Sequence, residues 1–390
     1  MRTFLLGLLG LFVVAVVGFL AFAPAIADGR MNPVTPHDPW PVSDTARELH
    51  ARLLVGDLHA DTLLWNRDWH ERSDVGHIDI PRLMAGNVAL QVFTAVTRSP
   101  RGLNYDHNAA DAPDNITLLA LAQLWPPRTW GSLLERALWQ AGKLDGIAAD
   151  SSGRLRVIRT VHDLDLVLES RGTDTPVIGG LLGIEGAHPL EGDLGNVAVL
   201  AGAGYRLIAL QHFFDNDLGG SLHGDPEAGL TDFGRAVVRE VEAQGLILDV
   251  AHSSPAVVRD VLDMVRMPIV LSHTGIASQC ASRRNIPDDL LQGIAATGGV
   301  VGIGFWADVT CDDSPAGVAA AIVAAVDLLG PEHVALGSDY DGTVRVAFDA
   351  SELAALTQAL MDAGLPEDTI AAVMGGNMER VLRARLRMRP

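Results

Sequence analysis

The residues most able to do chemistry are His59 and Asp61, separated only by Ala60 at the end of the apolar run Leu53-Leu54-Val55-Gly56-Asp57-Leu58. In an extended strand, residues i and i+2 project to the same side, so both side chains can reach one metal ion from a single strand end. Other apolar runs end in the same kind of residue. Glu185 follows Gly183-Ile184, His212 follows Gln211, His252 closes Asp249-Val250-Ala251-His252, His273 follows Ser272, and Asp339 stands in Gly337-Ser338-Asp339-Tyr340-Asp341-Gly342. Imidazoles and carboxylates without thiolates suit Zn²⁺ or a similar divalent ion. Each has an ordinary use by itself: His252 as a cap, Asp339 as a turn residue. Their joint arrival at strand ends is what argues for metal.

The elements that must deliver them are short runs rich in Val, Ile and Leu: Leu53–Leu58, Val88–Val96, Val177–Ile184, Tyr205–Leu210, Leu246–Val250, Ile269–Ser272, Val300–Phe305 and Val334–Ser338. Fully apolar strands of this length belong to a parallel sheet covered on both faces. Helical patterns separate them at Asp232–Gln244, Ser254–Val265, Asp288–Thr297 and Pro315–Leu329. Eight such units predict an α/β fold of the (β/α)8 TIM type, with the site at the C-terminal ends of the strands. The long connection Arg98–Asp150 predicts two extra helices after the second strand, Asn115–Leu124 and Trp130–Leu144, and Ser351–Arg385 predicts further helices packing on the barrel.

The ligand set exceeds what one tetrahedral zinc needs. Two ions sharing a carboxylate use it better. In many metal-dependent barrels a modified lysine makes that bridge, but Lys143 is the only lysine, in a helical insertion far from any strand end. A carboxylate must then bridge, and Glu185 is the candidate. His333 precedes the last strand and is read as structural, and His188 and His223 as loop residues behind the site.

The bulk properties narrow the class. The chain has 390 residues, 48% of them hydrophobic, and a formal charge of −19. That charge argues against nucleic acid, which wants basic patches. No phosphate-binding glycine loop is present, so nucleotides have no support. Arg2, the apolar run Phe4–Phe22 and Ala25-Ile26-Ala27-Asp28 predict that residues 1–27 are a signal peptide or an uncleaved anchor spanning 4–22. The body is expected outside the cytoplasm, periplasmic or extracellular, touching a membrane only through that segment. Residues 28–44 read as a Pro-rich linker and 45–390 as the catalytic domain. Two cysteines could form one bond or stay free, and a buried free thiol is expected at Cys280.

The stretch Gly229 to Asp289 resembles the membrane (renal) dipeptidases, a family of binuclear zinc dipeptidases built on a (β/α)8 barrel. Leu248-Asp249-Val250-Ala251-His252-Ser253-Ser254, Ser272-His273-Thr274 and the string Cys280-Ala281-Ser282-Arg283-Arg284-Asn285-Ile286-Pro287-Asp288-Asp289 carry it. Gly337-Ser338-Asp339-Tyr340-Asp341-Gly342 and Gly375-Gly376-Asn377-Met378-Glu379-Arg380-Val381 also look like family blocks. Gln211 and Ala60 depart from the usual pattern without removing a ligand. The resemblance implies a zinc held by His59 and Asp61, a second held by His252 and His273, Glu185 as bridge, and Asp339 beside the first zinc. It further implies His212 on the scissile carbonyl and Arg284, more than Arg283, on the substrate carboxylate.

The expected activity is hydrolysis of dipeptides by a metal-bridging hydroxide. The zinc pair lowers the pKa of that water towards about 7, and Asp339 handles its proton. The alternative is a metal-dependent amidohydrolase acting on another small amide, such as a lactam or an N-acyl amino acid. A non-catalytic metal- or peptide-binding barrel and a phosphoesterase fit less well, since no ligand is missing and the rim offers few basic groups besides Arg283 and Arg284. A homodimer is compatible with everything above.

Overall fold

Eight parallel strands close into a barrel in the computed structural model, which describes residues 22–225 and 227–387 together with 4, 11, 18 and 20. They are β1 (Val55–Ala60), β2 (Val88–Val96), β4 (Ile178–Glu185), β5 (Tyr205–Ala209), β6 (Ile247–Asp249), β7 (Val270–Thr274), β8 (Val300–Ile303) and β9 (Val334–Leu336). β9 pairs back to β1, and β2 pairs directly with β4 from Leu90–Gly179 to Val96–Glu185. Every residue of these strands is buried, because helices cover the outside and side chains fill the inside. The eight expected strands are all present, with ends shifted by up to two residues. A ninth, β3 (Leu155–Val157), lies outside the ring against β4; at three residues it is too short to leave a periodic signal.

Close approaches at two glycines show how tightly the ring closes. A Cβ on Gly337 would sit 1.8 Å from the Ser272 carbonyl oxygen, and one on Gly375 would sit 2.2 Å from that of Leu54. Gly375 leads into the helix Asn377–Arg385, whose Met378, Val381 and Leu382 pack with Leu58, Leu90, Ile247 and Val270. The amide of Asn377 holds the carbonyls of Pro331 and Val334 at 2.7 and 2.8 Å. The tail therefore packs on the apolar body of the strands and leaves their C-terminal ends free.

The expected insertion helices form as Asn115–Ala122 and Leu133–Asp150. The second starts later than expected because Ser132 caps it through the Glu135 amide, and it runs on to Asp150. Buried Arg136 fastens the insertion to the end of β2, donating to the carbonyls of Thr97 and Thr129 and pairing with Asp114 at 2.6 Å. Lys143 comes nearer the rim than its sequence position suggests. Its Nζ donates to the carbonyls of Leu63 and Trp65, just past β1, and burial with Arg67 nearby pushes its pKa down to about 7. Both partners are main-chain oxygens, so it holds a loop and bridges no metals.

Residues 22–31 are helical, and the expected linker lies against the barrel. Asp28 pairs with Arg67 at 3.0 Å, Asn32 accepts from the Thr343 amide at 2.9 Å, and Val34 forms a parallel bridge with Val346. Most of the apolar segment 4–22, expected as leader or anchor, lies outside the described residues. Among those described, no helix is long and apolar enough to cross a membrane.

One buried carboxylate ties three strands together below the rim. Asp57 on β1 accepts from the Ser338 amide at 2.8 Å and hydroxyl at 2.6 Å, and from Gln91 of β2 at 2.9 Å. Replacing Asp57 by Ala strands these donors in the core, each a loss of the order of 1–3 kcal/mol. We expect Asp57→Ala to cost about 3 kcal/mol or more in urea unfolding; an unchanged midpoint would refute this role.

Candidate metal centre

Each strand-end residue singled out by the sequence arrives at one rim. His59 is fully buried, and its Nε2 lies 3.6 Å from Asp61, 3.4 Å from Glu185 and 3.8 Å from Asp339. Glu185 is the meeting point. Its Oε1 is 3.1 Å from His252 Nε2 and 3.5 Å from His273 Nε2, and its Oε2 is 3.3 Å from His212 Nε2. Three overlapping triads result: His59, Asp61 and Glu185; Glu185, His212 and His252; and His59, His273 and Asp339, each with ligand atoms within 4.8 Å of one another.

The donor set fits divalent metal. The Nε2 atoms of His252 and His273 face each other at 3.0 Å across Glu185. Two neutral imidazoles and a carboxylate converging in this way offer lone pairs to a common centre, which a cation satisfies. The cluster's charges shift one another's proton affinities. Burial raises the Glu185 pKa, but the charges of His212 and His59 outweigh it and hold the carboxyl well below its usual range. Burial drives Asp339 well above its usual value, reinforced by Asp61 and Glu185. Burial and the Arg284 charge push His252 down, while Glu185 and Asp61 overcome burial to raise His59.

Backbone geometry aims two of these groups. His252 and Asp339 both lie in the left-handed region, at φ 59° and 60°. Such conformations cost of order 1 kcal/mol or more outside glycine and persist where the surroundings enforce them. The turn bearing Asp339 is enforced by Asp341, whose carboxylate pairs with Arg67 at 2.7 Å and accepts from Thr62 at 2.8 Å and from the His77 amide at 2.7 Å. Burial raises the Asp341 pKa, yet Arg67 and His77 hold it below the usual range. Two carboxylates in one motif are thereby driven apart.

Arg284 enters this cleft fully buried. It donates to the His273 carbonyl at 3.0 Å and lies 5.8 Å over the Trp306 ring. No carboxylate pairs with it among the described residues. Nearby Asp288 accepts from the Ser278 amide at 3.4 Å at the start of its helix, and the neighbouring Arg283 pairs in solvent with Asp106 at 3.1 Å. The loop carrying Arg284 is closed by a bond the sequence did not reveal. Cys280 and Cys311 form a disulfide with Cα atoms 5.6 Å apart, which corrects the expected free thiol. The two cysteines are 31 residues apart in the chain, but they follow adjacent strands β7 and β8, and Asn285 joins their loops by donating to the carbonyls of Cys280 and Val309, both at 2.9 Å.

The three other histidines singled out by the sequence lie outside the cluster. His333 bonds to the Gly299 carbonyl at 2.9 Å at the opposite end of the strands. His188 packs edge-on against Phe214, and His223 bonds to the Tyr105 carbonyl at 3.0 Å behind Phe213. Burial and nearby positive charge push the pKa of each down to about 3, so both stay neutral.

A family model described as Membrane dipeptidase (Peptidase family M19) matches residues 43–389. A protein named Dipeptidase verJ from Clonostachys rogersoniana is 33% identical over 357 residues, 86% of this chain and 85% of that one. Dipeptidase aclJ from Aspergillus oryzae is 35% identical over 220 residues, which span 53% of this chain and 51% of that relative. A solved structure titled dipeptidase AC, a metallo peptidase of family M19, superposes with a TM-score of 0.70 at 25% identity, covering 86% of this chain and 99% of its own.

Two residues behind the ligands escaped the sequence reading. Thr94 of β2 donates to Asp61 at 2.5 Å, and the Ser272 hydroxyl touches Nδ1 of both His59, at 3.2 Å, and His273, at 2.8 Å. Ser272 was visible beside His273, but nothing in the chain says that its hydroxyl reaches across to β1. Partners that orient ligands in this way typically contribute 10–100-fold to metal affinity. Ser272→Ala should therefore weaken metal binding by about that factor in a chelator competition, while Ser272→Thr restores it; unchanged affinity in the alanine variant would remove the orienting role.

Proposed function

This chain belongs to the membrane dipeptidase family, peptidase family M19, and from that premise we propose that its site hydrolyses the peptide bond of dipeptides with two zinc ions bridged by Glu185. His59 and Asp61 would hold one ion and His252 and His273 the other, with Asp339 beside the first. When bound, the ions acidify a water and polarise the peptide carbonyl. Zinc or a similar divalent ion is favoured by the imidazole and carboxylate donors.

The chain's own side chains supply the rest. Arg284, buried beside the cluster with no carboxylate partner among the described residues, is the single observation that carries the reading. A planar guanidinium held in this way offers two parallel donors to a carboxylate. A substrate fixed there by its terminal carboxylate, with its amide at the cluster, must be short. The Nδ1–H of His212 donates to the Arg98 carbonyl at 3.2 Å and turns Nε2 towards the cluster, so only a ring carrying both protons would donate from Nε2 to the oxygen that gains charge. Asp339, its carboxyl pushed up by burial and neighbouring anions, accepts the proton of the attacking water and returns it to the leaving amine.

Export is supported by the same disulfide, which suits an oxidising compartment. A zinc-loaded screen over L,L- and L,D-dipeptides tests the activity, and inactivity towards all of them overturns it. In that assay Arg284→Ala should raise KM by about 100-fold, the scale of a lost charge-assisted pair, with zinc content intact; parallel loss of zinc would sink the assignment. Glu185→Gln should lose zinc and activity together, and a metal-replete, active variant would rule out the bridge.

A further inference from the structure

We infer that the acyl half of the substrate, the half carrying the scissile carbonyl, bears a large apolar group seated in a cavity walled by the insertion after β2. This deepens the dipeptidase reading and rests on it. The small cleft that holds Arg284, Glu185 and Asp339 has a volume of about 50 Å³, too little for a substrate's two halves. A second cavity, of about 480 Å³, shares Asp61, Leu103, His212 and Phe213 with it and extends away from Arg284. Its walls include Leu64, Trp65, Val96, Leu103, Ile116 and Leu119, and one side is closed by the helix over residues 22–31.

Direction follows from the two ends of the cleft. A carboxylate on Arg284 places the amine half of the substrate beside Tyr105 and Trp306, and the scissile carbonyl at His212. The acyl half then passes Asp61 and His212 into the larger cavity. Two of the polar groups lining that cavity are engaged elsewhere. The Trp65 indole N–H donates to the Asp341 carbonyl at 2.7 Å and the Asn115 amide to that of Pro100 at 3.0 Å. What remains for a guest is mainly hydrocarbon, and the volume falls in the range of ordinary ligand pockets. Such a surface rewards a leucine- or phenylalanine-sized group over hydrogen or methyl, and offers an internal charge nothing.

The same chemistry could come from an amino-acid side chain or from a fatty acyl chain lacking the free amine. The test compares kcat/KM of the zinc-loaded full chain for Phe-Ala, Leu-Ala, Gly-Ala, Asp-Ala and octanoyl-alanine, which share one terminal carboxylate. We expect Phe-Ala and Leu-Ala to exceed Gly-Ala and Asp-Ala by about 10–100-fold, the scale of burying one such side chain. The half-buried Leu119, on the outer insertion helix, gives the variant. Leu119→Asp should remove most of that preference and leave Gly-Ala hydrolysis and zinc content unchanged. Octanoyl-alanine cleaved faster than Phe-Ala keeps the cavity assignment and names an acyl chain as its guest. Equal rates for Phe-Ala and Gly-Ala, or a Leu119→Asp variant impaired equally on both, overturn the inference while leaving the dipeptidase reading intact. If no compound is cleaved, the dipeptidase reading fails; equal dissociation constants for Phe-Ala and Gly-Ala by calorimetry would then overturn the cavity assignment as well.

Discussion

A carboxylate surrounded by four imidazoles and shut away from water is the constraint on which this structure turns. Glu185 lies within 3.5 Å of His59, His212, His252 and His273. Buried ionisable groups at this density are costly unless each charge is matched and each remaining lone pair bonded. The barrel meets that requirement by bringing ligands from β1, β4, β5, β6, β7 and β9 to one level. A metal ion held among them would let carboxylates stay ionised and imidazoles neutral together.

Layers of hydroxyl and carboxylate groups underneath hold the ligands at that level. Ser272 spans His59 and His273, Thr94 holds Asp61, and Asp57 fixes Ser338 one residue before Asp339. The two aspartates of the β9 turn show how environment divides similar groups. Asp341 faces Arg67 and the His77 amide and is held as an anion, so it anchors the turn. Asp339, two residues earlier, is buried facing other carboxylates, which raises its proton affinity.

The parts that would shape a substrate lie outside the ring of ligands. Arg136 pins the long insertion to the end of β2, and the disulfide with Asn285 pins the Arg284 loop to the segment after β8. These fastenings set the two sides of the cleft independently of the metal ligands. Such an arrangement allows the acyl side to be altered by changes in the insertion without touching the reaction centre.

The strands were legible in the chain because burial on both faces leaves unbroken apolar runs, and a ligand at the end of such a run is conspicuous. His59, Asp61, Glu185, His212, His252, His273, Asp339 and Arg284 were all identifiable in this way or by resemblance. Edge strand β3 was not, because three residues carry no period. Nor were the Ser272–His59 contact, the Asp57–Ser338 bonds, the Cys280–Cys311 bridge and the place of Lys143. Each joins residues far apart in the chain whose types are compatible with many partners. The sequence by itself determined which groups could bind metal and on which strand ends they stand, since periodicity and residue type are local properties. Only the tertiary structure decided what touches what across the barrel, which carboxylate pairs with an arginine and which faces other carboxylates, and where a second cavity opens, because burial, charge and reach depend on elements that meet only when the ring closes.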